Sequence, residues 1–369
     1  MRAAQSCGLR RSMCSSDVAP GFGDSVHENG FPLHQSAVPH RKEDEGNARS
    51  RPPGPDSLEG PIHTGSLSEQ LEHEFPYRPQ SDFPAQIWQT WKYAPESKAF
   101  RFAFRAPTVS WTTHHPNFAH TVLSDDAALS LTRKLYGSVP AVFDAYAALP
   151  LPVLRADFFR YLVLLAQGGI YSDIDTTALR PATEWVPARV PRASYGLVVG
   201  IEADPDGDDW QRWFARRVQF CQWTIQAKAG HPVLRAIVAN ITEETLRRKR
   251  EGQLDDVRDI LEFTGPALWT DTIFAFFDEQ SNGHNTHNEN ITWTHFTKLT
   301  APKQVRDVVV LPITSFSPGI GWMGSGPDND PMACVKHTFA GSWKPKLKAP
   351  AWNAGWTPTV GGQESQPKD

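Results

Sequence analysis

Two aspartates separated by one residue, Asp173 and Asp175, close the stretch Ile170-Tyr171-Ser172. On an extended strand, residues two apart share a face, which sets these carboxylates side by side with Cα atoms roughly 7 Å apart. Two anions at a strand tip repel, and a hard divalent cation with oxygen ligands removes the repulsion. Such a cation can take a diphosphate as a further ligand and stabilise it as a leaving group. A bare D-x-D is also a common pair of solvated turn residues, so its surroundings have to decide.

Just upstream, residues 153–167 (VLRADFFRYLVLLAQ) read as a helix that is apolar nearly all round, and such a helix is buried. It nevertheless carries Asp157 and Arg160 at i, i+3. A buried pair of this kind is expensive to desolvate and needs further partners. It reads either as a structural ion pair or as the charged wall of a polar ligand pocket. Gly168-Gly169 supplies the stop signal after the helix. Glu202 and Asp204 end an apolar strand at 195–203, where they read as carboxylates facing a second substrate or as an acidic turn.

The elements that must position these residues alternate. Strands are expected at 85–91, 120–125, 170–175, 195–203 and 307–313. Helices are expected at 141–149, 153–167, 231–251 and 267–279, with Ser124 or Asp125 as a cap for a helix after the second strand. This alternation predicts an α/β fold with a mostly parallel sheet, and ligands in such folds sit at the carboxyl ends of the strands. Residues 1–80 are rich in Pro, Gly, Ser, His and charge without periodicity, and they read as a disordered N-terminal region. Residues 81–345 read as one catalytic domain and 346–369 as a flexible tail.

The string R-A-D-F-F-R-Y-L-x-L-x-x-x-G-G-I-Y-x-D-I-D-T resembles the sugar-nucleotide-binding DXD region of glycosyltransferase family 32. The stretches FPAQIWQTWK, GLVVGIEADPD, RRVQFCQWTIQAKAGHPVLR, FTGPALWTD, LPITSFSPG and VKHTFAGSWKP agree with it, and together they resemble the fungal alpha-1,6-mannosyltransferases of that family. The resemblance covers about residues 83–345. It implies a GT-A-like, Rossmann-type fold, GDP-mannose as donor, Mn²⁺ or Mg²⁺ as cofactor, and retaining transfer to an N-linked glycan or glycoprotein in the Golgi. Other mannosyltransferase subunits are possible partners on the same ground. Carried over by position, Asp175 would ligate the metal, and Asp173 would touch the metal or the ribose. Asp157, Arg160 and Tyr171 would face the donor. Family enzymes place a C-terminal histidine on the metal, and His337 is the candidate. Lys344 would neutralise a phosphate, and Trp88 or Trp91 would stack on the base. Enzymes of the family are usually anchored by one N-terminal membrane helix, and no such helix or signal peptide is written in this chain.

Three other readings compete. Asp173, Asp175 and Thr177 satisfy the D-x-D-x-T signature of haloacid-dehalogenase phosphatases, in which Asp173 would be the nucleophile. The same fold could transfer to another acceptor, such as inositol phosphoceramide, or serve as a non-catalytic subunit. Gly319, Gly321 and Gly324 match G-x-G-x-x-G, but Pro327 and Pro331 prevent the helix a dinucleotide site requires. With Lys+Arg 37 against Asp+Glu 41, the net charge of -4 argues against a phosphate-driven nucleic-acid binder. Cys221 and Cys334 form no metal pattern and read as either a disulfide or two buried thiols. The 13 Trp are many for 369 residues, and exposed Trp suits flat ligands such as bases and sugar rings.

Overall fold

The computed structural model describes residues 65–279 and 290–341. The strands are β1 (Gln86–Thr90), β2 (Ala119–Leu123), β3 (Gly169–Ser172), β4 (Thr176–Ala178), β5 (Leu197–Ala203), β6 (Gln219–Phe220), β7 (Thr224–Ala227), β8 (Lys303–Val305), β9 (Val308–Leu311) and β10 (Val335–His337). The longer helices are α1 (Leu67–Glu74), α2 (Arg105–His114), α3 (Asp125–Leu135), α4 (Pro140–Ala148), α5 (Pro152–Gln167) and α6 (Pro232–Arg250). They are followed by a single turn α7 (Ile260–Phe263), then α8 (Pro266–Asp278) and a second single turn α9 (Ile313–Phe316).

The central sheet has the order β2-β1-β3-β7-β5-β9-β8, with β6 paired to β5. β1, β2, β3, β5 and β9 run in one direction, while β7 and β8 are reversed. The sheet is therefore mostly co-directional, as the alternating elements predict. Period-two alternation divides its side chains between two faces. Leu197, Val199 and Ile201 join the main core under α3–α6 and α8, whereas Val198, Ile87 and Ile170 join a second core with Trp111, Trp185 and Phe316.

Local chemistry sets the element ends. The Ser124 hydroxyl accepts the Ala127 N–H at 3.2 Å and starts α3. α4, α5, α6 and α8 each carry Pro in the first turn, where its missing N–H costs nothing. α5 ends at Gly168, with φ 63° and ψ -162°, a conformation essentially reserved for glycine.

The expectation of disorder for 1–80 fails for its last part. α1 opens with a Ser66–Glu69 capping box and buries Leu71 completely in the main core. Two leucines, Leu67 and Leu71, on an otherwise polar eight-residue helix are too weak a periodicity to announce it. Residues 1–64 and 342–369, including Lys344 and the expected tail, lie outside the described residues. Cys221 and Cys334 are both buried free thiols, so the disulfide alternative is not realised. No helix among the described residues is long and apolar enough to cross a membrane.

Candidate active site

β3 and β5 run the same way, so Ser172 and Ala203 lie at the same edge of the sheet, the carboxyl edge at which α/β folds bind ligands. The DXD aspartates project from this edge, but not by strand alternation. β3 stops at Ser172, where it still pairs with Thr224 of β7. The chain then turns, with the Thr176 N–H donating to the Asp173 carbonyl at 3.1 Å, and resumes as β4. The expected strand at 170–175 is thus a strand followed by a turn, with β4 beginning just beyond it. The two carboxylates converge because the chain reverses between β3 and β4.

β4 pairs antiparallel with β10, setting Thr176 opposite His337. This pairing brings the predicted histidine to the aspartates across more than 160 residues of chain. Ligand atoms of Asp173, Asp175 and His337 all lie within 4.8 Å of one another. His337 Nε2 is 3.0 Å from Asp175 Oδ1, and the Ala340 N–H donates to Asp175 Oδ2 at 2.9 Å. Burial opposes the His337 charge, but Asp175, helped by Asp173 and Glu202, outweighs it and raises the imidazole above its usual range. The Asp175 carboxyl is pushed up by burial and pulled below its ordinary value by His337 and the Ala340 N–H. Two carboxylates and one imidazole on rigid backbone form a mixed oxygen–nitrogen set that suits Mn²⁺, so the residues fit the metal the resemblance implies.

Asp157 and Arg160 are both buried on α5 and join the same network. Arg160 Nη1 donates to Asp157 Oδ1 at 2.5 Å, and Nη2 donates to Asp173 Oδ1 at 3.1 Å. Asp157 is further held by Gln222 Nε2 at 3.2 Å and the Thr264 hydroxyl at 3.1 Å. These are the extra partners that a buried ion pair requires. Burial pushes the Asp157 carboxyl up to about 6 against the opposing pull of Arg160. Tyr171 donates its hydroxyl to Asp173 Oδ1 at 2.9 Å, and its ring lies 5.1 Å from the guanidinium carbon of Arg160. Asp173 therefore receives a guanidinium and a phenol while its side chain stays about a quarter exposed.

Other expected residues separate on inspection. The Trp91 indole N–H has no partner among the described residues, and Arg101 sits 5.8 Å above its ring. It lies just past the carboxyl end of β1, where its ring also packs 4.7 Å from Phe104 in a small cluster with Phe100 and Ile174. Trp88 is not available to a base: its N–H donates to the Gly168 carbonyl at 3.0 Å and its ring packs on the main core. Alternation along β1 decides this, since Trp88 points across the sheet toward α5. Asp204 also departs from expectation. Its carboxylate accepts the Thr297 hydroxyl at 2.8 Å and the Lys298 N–H at 2.5 Å, holding Lys298 at φ 56°. A buried carboxylate committed to a strained turn is a fastener, not a catalyst. Glu202 stays half-buried and accepts from Gln219 Nε2 at 3.0 Å. Burial raises its carboxyl, while Gln219, His337 and Arg160 pull it back.

Sequence reasoning missed Gln89, Gln222, Thr264 and Trp223. Gln89 is fully buried and donates to the Asp173 carbonyl at 3.0 Å, with His120 at its other end. Trp223 packs its ring 4.4 Å from that of His337. Only the polar Gln89 in an alternating apolar strand offered a signal, and it was a faint one.

Residues 104–190 match the family described as glycosyltransferase sugar-binding region containing DXD motif. The chain is 44% identical over 295 residues to an initiation-specific alpha-1,6-mannosyltransferase of Candida albicans, spanning 76% of this chain and 77% of that one. A protein of the same name from Schizosaccharomyces pombe is 45% identical over 286 residues, spanning 77% and 69%. The Saccharomyces cerevisiae protein of that name is 34% identical, spanning 76% and 82%. A phosphatase signature belongs on the first strand of its fold, whereas this D-x-D-x-T follows the third, after five helices. The chain belongs to the DXD-containing glycosyltransferases, in one family with the initiation-specific alpha-1,6-mannosyltransferases.

Proposed function

We propose that this protein transfers mannose from GDP-mannose to an N-linked glycan in alpha-1,6 linkage with retention of anomeric configuration, in the Golgi. The observation that carries the reading is the meeting of Asp173, Asp175 and His337 at the carboxyl edge of the sheet, with Arg160 donating into it. The similarity to the named relatives supports the choice of sugar and linkage. Asp173, Asp175 and His337 would hold a divalent cation, preferably Mn²⁺, which supplies neutralisation of the charge that develops on the departing diphosphate.

The chain's own residues do the rest. Arg160, locked by Asp157 and oriented over Tyr171, fixes the Asp173 carboxylate and presents a buried positive charge beside it. Its cost of burial is met in advance, so nothing needs to reorganise as charge shifts. Trp91 and Arg101 offer an aromatic face and a cation beyond β1 for the guanine. Donor and product share the alpha configuration, so the sugar leaves and is captured on one face, through an oxocarbenium-like state. Glu202, near the carboxyl end of β5, would face the acceptor, and its raised affinity for protons suits it to take the proton of the attacking hydroxyl.

The test is a donor screen with purified protein and a mannose oligosaccharide. Nucleoside diphosphate release is read for each sugar nucleotide, with and without acceptor, and the product linkage is read by NMR. Acceptor-stimulated GDP release with a new alpha-1,6 mannose supports the reading. Equal turnover of another nucleotide, or hydrolysis of a generic phosphate ester, overturns it.

A further inference from the structure

The segment from Asp204 to Val218 leaves β5 two residues after Glu202 and returns at Gln219, whose side chain bonds Glu202. Both stems of this loop thus flank the proposed acceptor-side carboxylate. The loop and its contacts carry the exposed tryptophans of the described residues. Trp322 is 47% exposed, Trp213 42% and Trp293 40%, the three tryptophans among the exposed large hydrophobics of the described residues. Trp111, Trp185 and Trp269 are fully buried, so the chain does bury tryptophan where packing alone is required.

These rings are held in place. Phe214 lies 5.6 Å from Trp322 in a tilted contact. Arg217 sits 5.2 Å from the Trp293 ring and donates to the Gly207 carbonyl at 2.6 Å, which pins the loop across its own base. Arg212 sits 5.4 Å from the Trp213 ring. The Asp204 N–H approaches Met323 Sδ at 3.4 Å, joining the loop to the segment that bears Trp322. In that segment the G-x-G-x-x-G residues Gly319, Gly321 and Gly324 all have φ between 75° and 76°, and Met323, which is not glycine, has φ 57°. A Cβ at Gly321 or Gly324 would meet nothing, so backbone conformation, not crowding, demands glycine there. The positive φ of Met323 turns its side chain onto the main core and Asp204 while the preceding Trp322 stays exposed.

We propose that Trp322, supported by Phe214, is a stacking platform for a hexopyranose ring of the acceptor glycan, one or more sugars away from the reacting hydroxyl. The inference rests on the transferase reading and extends it to the acceptor. Flat rings beside arginines and carboxylates offer a sugar both an apolar face and hydrogen-bond partners, and fixed aromatic side chains lose little entropy on binding. The position selects this occupant: the Asp204–Met323 and Gln219–Glu202 contacts anchor both platform segments beside Glu202 on β5, which is separated from β1 and β2 by β3 and β7.

The experiment compares the full chain with Trp322→Ala and Trp322→Phe. With saturating donor, Trp322→Ala should raise the KM for a mannose oligosaccharide about tenfold or more, as loss of a central aromatic anchor does. The donor KM should change little, and Trp322→Phe should recover most of the acceptor affinity. The same oligosaccharide is titrated without donor, by saturation-transfer NMR, on wild type and Trp322→Ala. Binding to wild type that is lost in the variant supports the platform even if transfer fails for other reasons. An unchanged acceptor KM in folded Trp322→Ala overturns it. So does a wild type that binds no oligosaccharide, or a variant whose only change, by sedimentation, is loss of self-association.

Discussion

At the residue scale the site is a chain of charges in which each member is held by the next. Asp157 holds Arg160, Arg160 holds Asp173, and Asp175 holds His337. Arg160→Ala leaves Asp157 buried with only Gln222 and Thr264, and removal of one partner of a buried pair costs about 3–5 kcal/mol. Calorimetric or chemical denaturation should show that loss. Arg160→Lys keeps the charge but not the fork that spans two carboxylates. It should stay closer to wild type in stability and weaken GDP binding, read by titration. Unchanged GDP affinity in a folded Arg160→Lys would leave the pair purely structural. The Asp157/Arg160 pair was legible because charge on an all-apolar helix needs an explanation. Asp204 misled for the converse reason: an acidic residue after a strand looks available until Thr297 and Lys298 are seen to occupy it.

At the element scale, two short strands that carry no sequence signature decide the site. β4 and β10 have three residues each, yet their pairing carries His337 to Asp175. Three-residue strands lie below what periodicity can reveal, so the aspartates were read on one long strand. The helices α4, α5, α6 and α8 were legible to within a residue because Pro opens each, whereas α2, with Pro at its third position and few apolar residues, and the reversed strand β7 were not expected. Gly168 shows how firmly an element end is fixed. An added Cβ would sit 2.7 Å from the Ala229 N and 2.9 Å from the Ala227 carbonyl, at a φ of 63°. Gly168→Ala should therefore lower stability by about 1–3 kcal/mol or more. It should also disturb the α5–β3 junction that sets Arg160 against Asp173. Thermal unfolding checks the first effect, and a wild-type melting curve would contradict it.

At the scale of the whole molecule, the N-terminal part of the described chain is strapped across the end of the sheet opposite the site. Tyr77 donates to Asp307 Oδ2 at 2.6 Å, His231 approaches the same oxygen at 3.4 Å, and the buried Lys228 donates to the Pro79 carbonyl at 2.5 Å. Composition hid this segment, since Pro and charge masked one buried Leu71. Leu71→Ala should cost about 2–5 kcal/mol in denaturation, whereas a solvated segment would tolerate it. Burial works to raise the Asp307 carboxyl, but His231 and Tyr77 overcome it and hold it low. A depressed carboxyl stabilises the fold above its unfolded pKa, and that contribution is lost as pH falls through the folded value, below about pH 4. Asp307→Asn should flatten that part of the stability–pH curve. The central claim remains that one cation joins Asp173, Asp175 and His337. Paramagnetic resonance of Mn²⁺ titrated into wild type and Asp175→Asn, each with GDP, tests it most directly. One bound Mn²⁺ per wild-type chain and none on a folded Asp175→Asn is the expected result. Equal Mn²⁺ binding by both proteins would contradict the account.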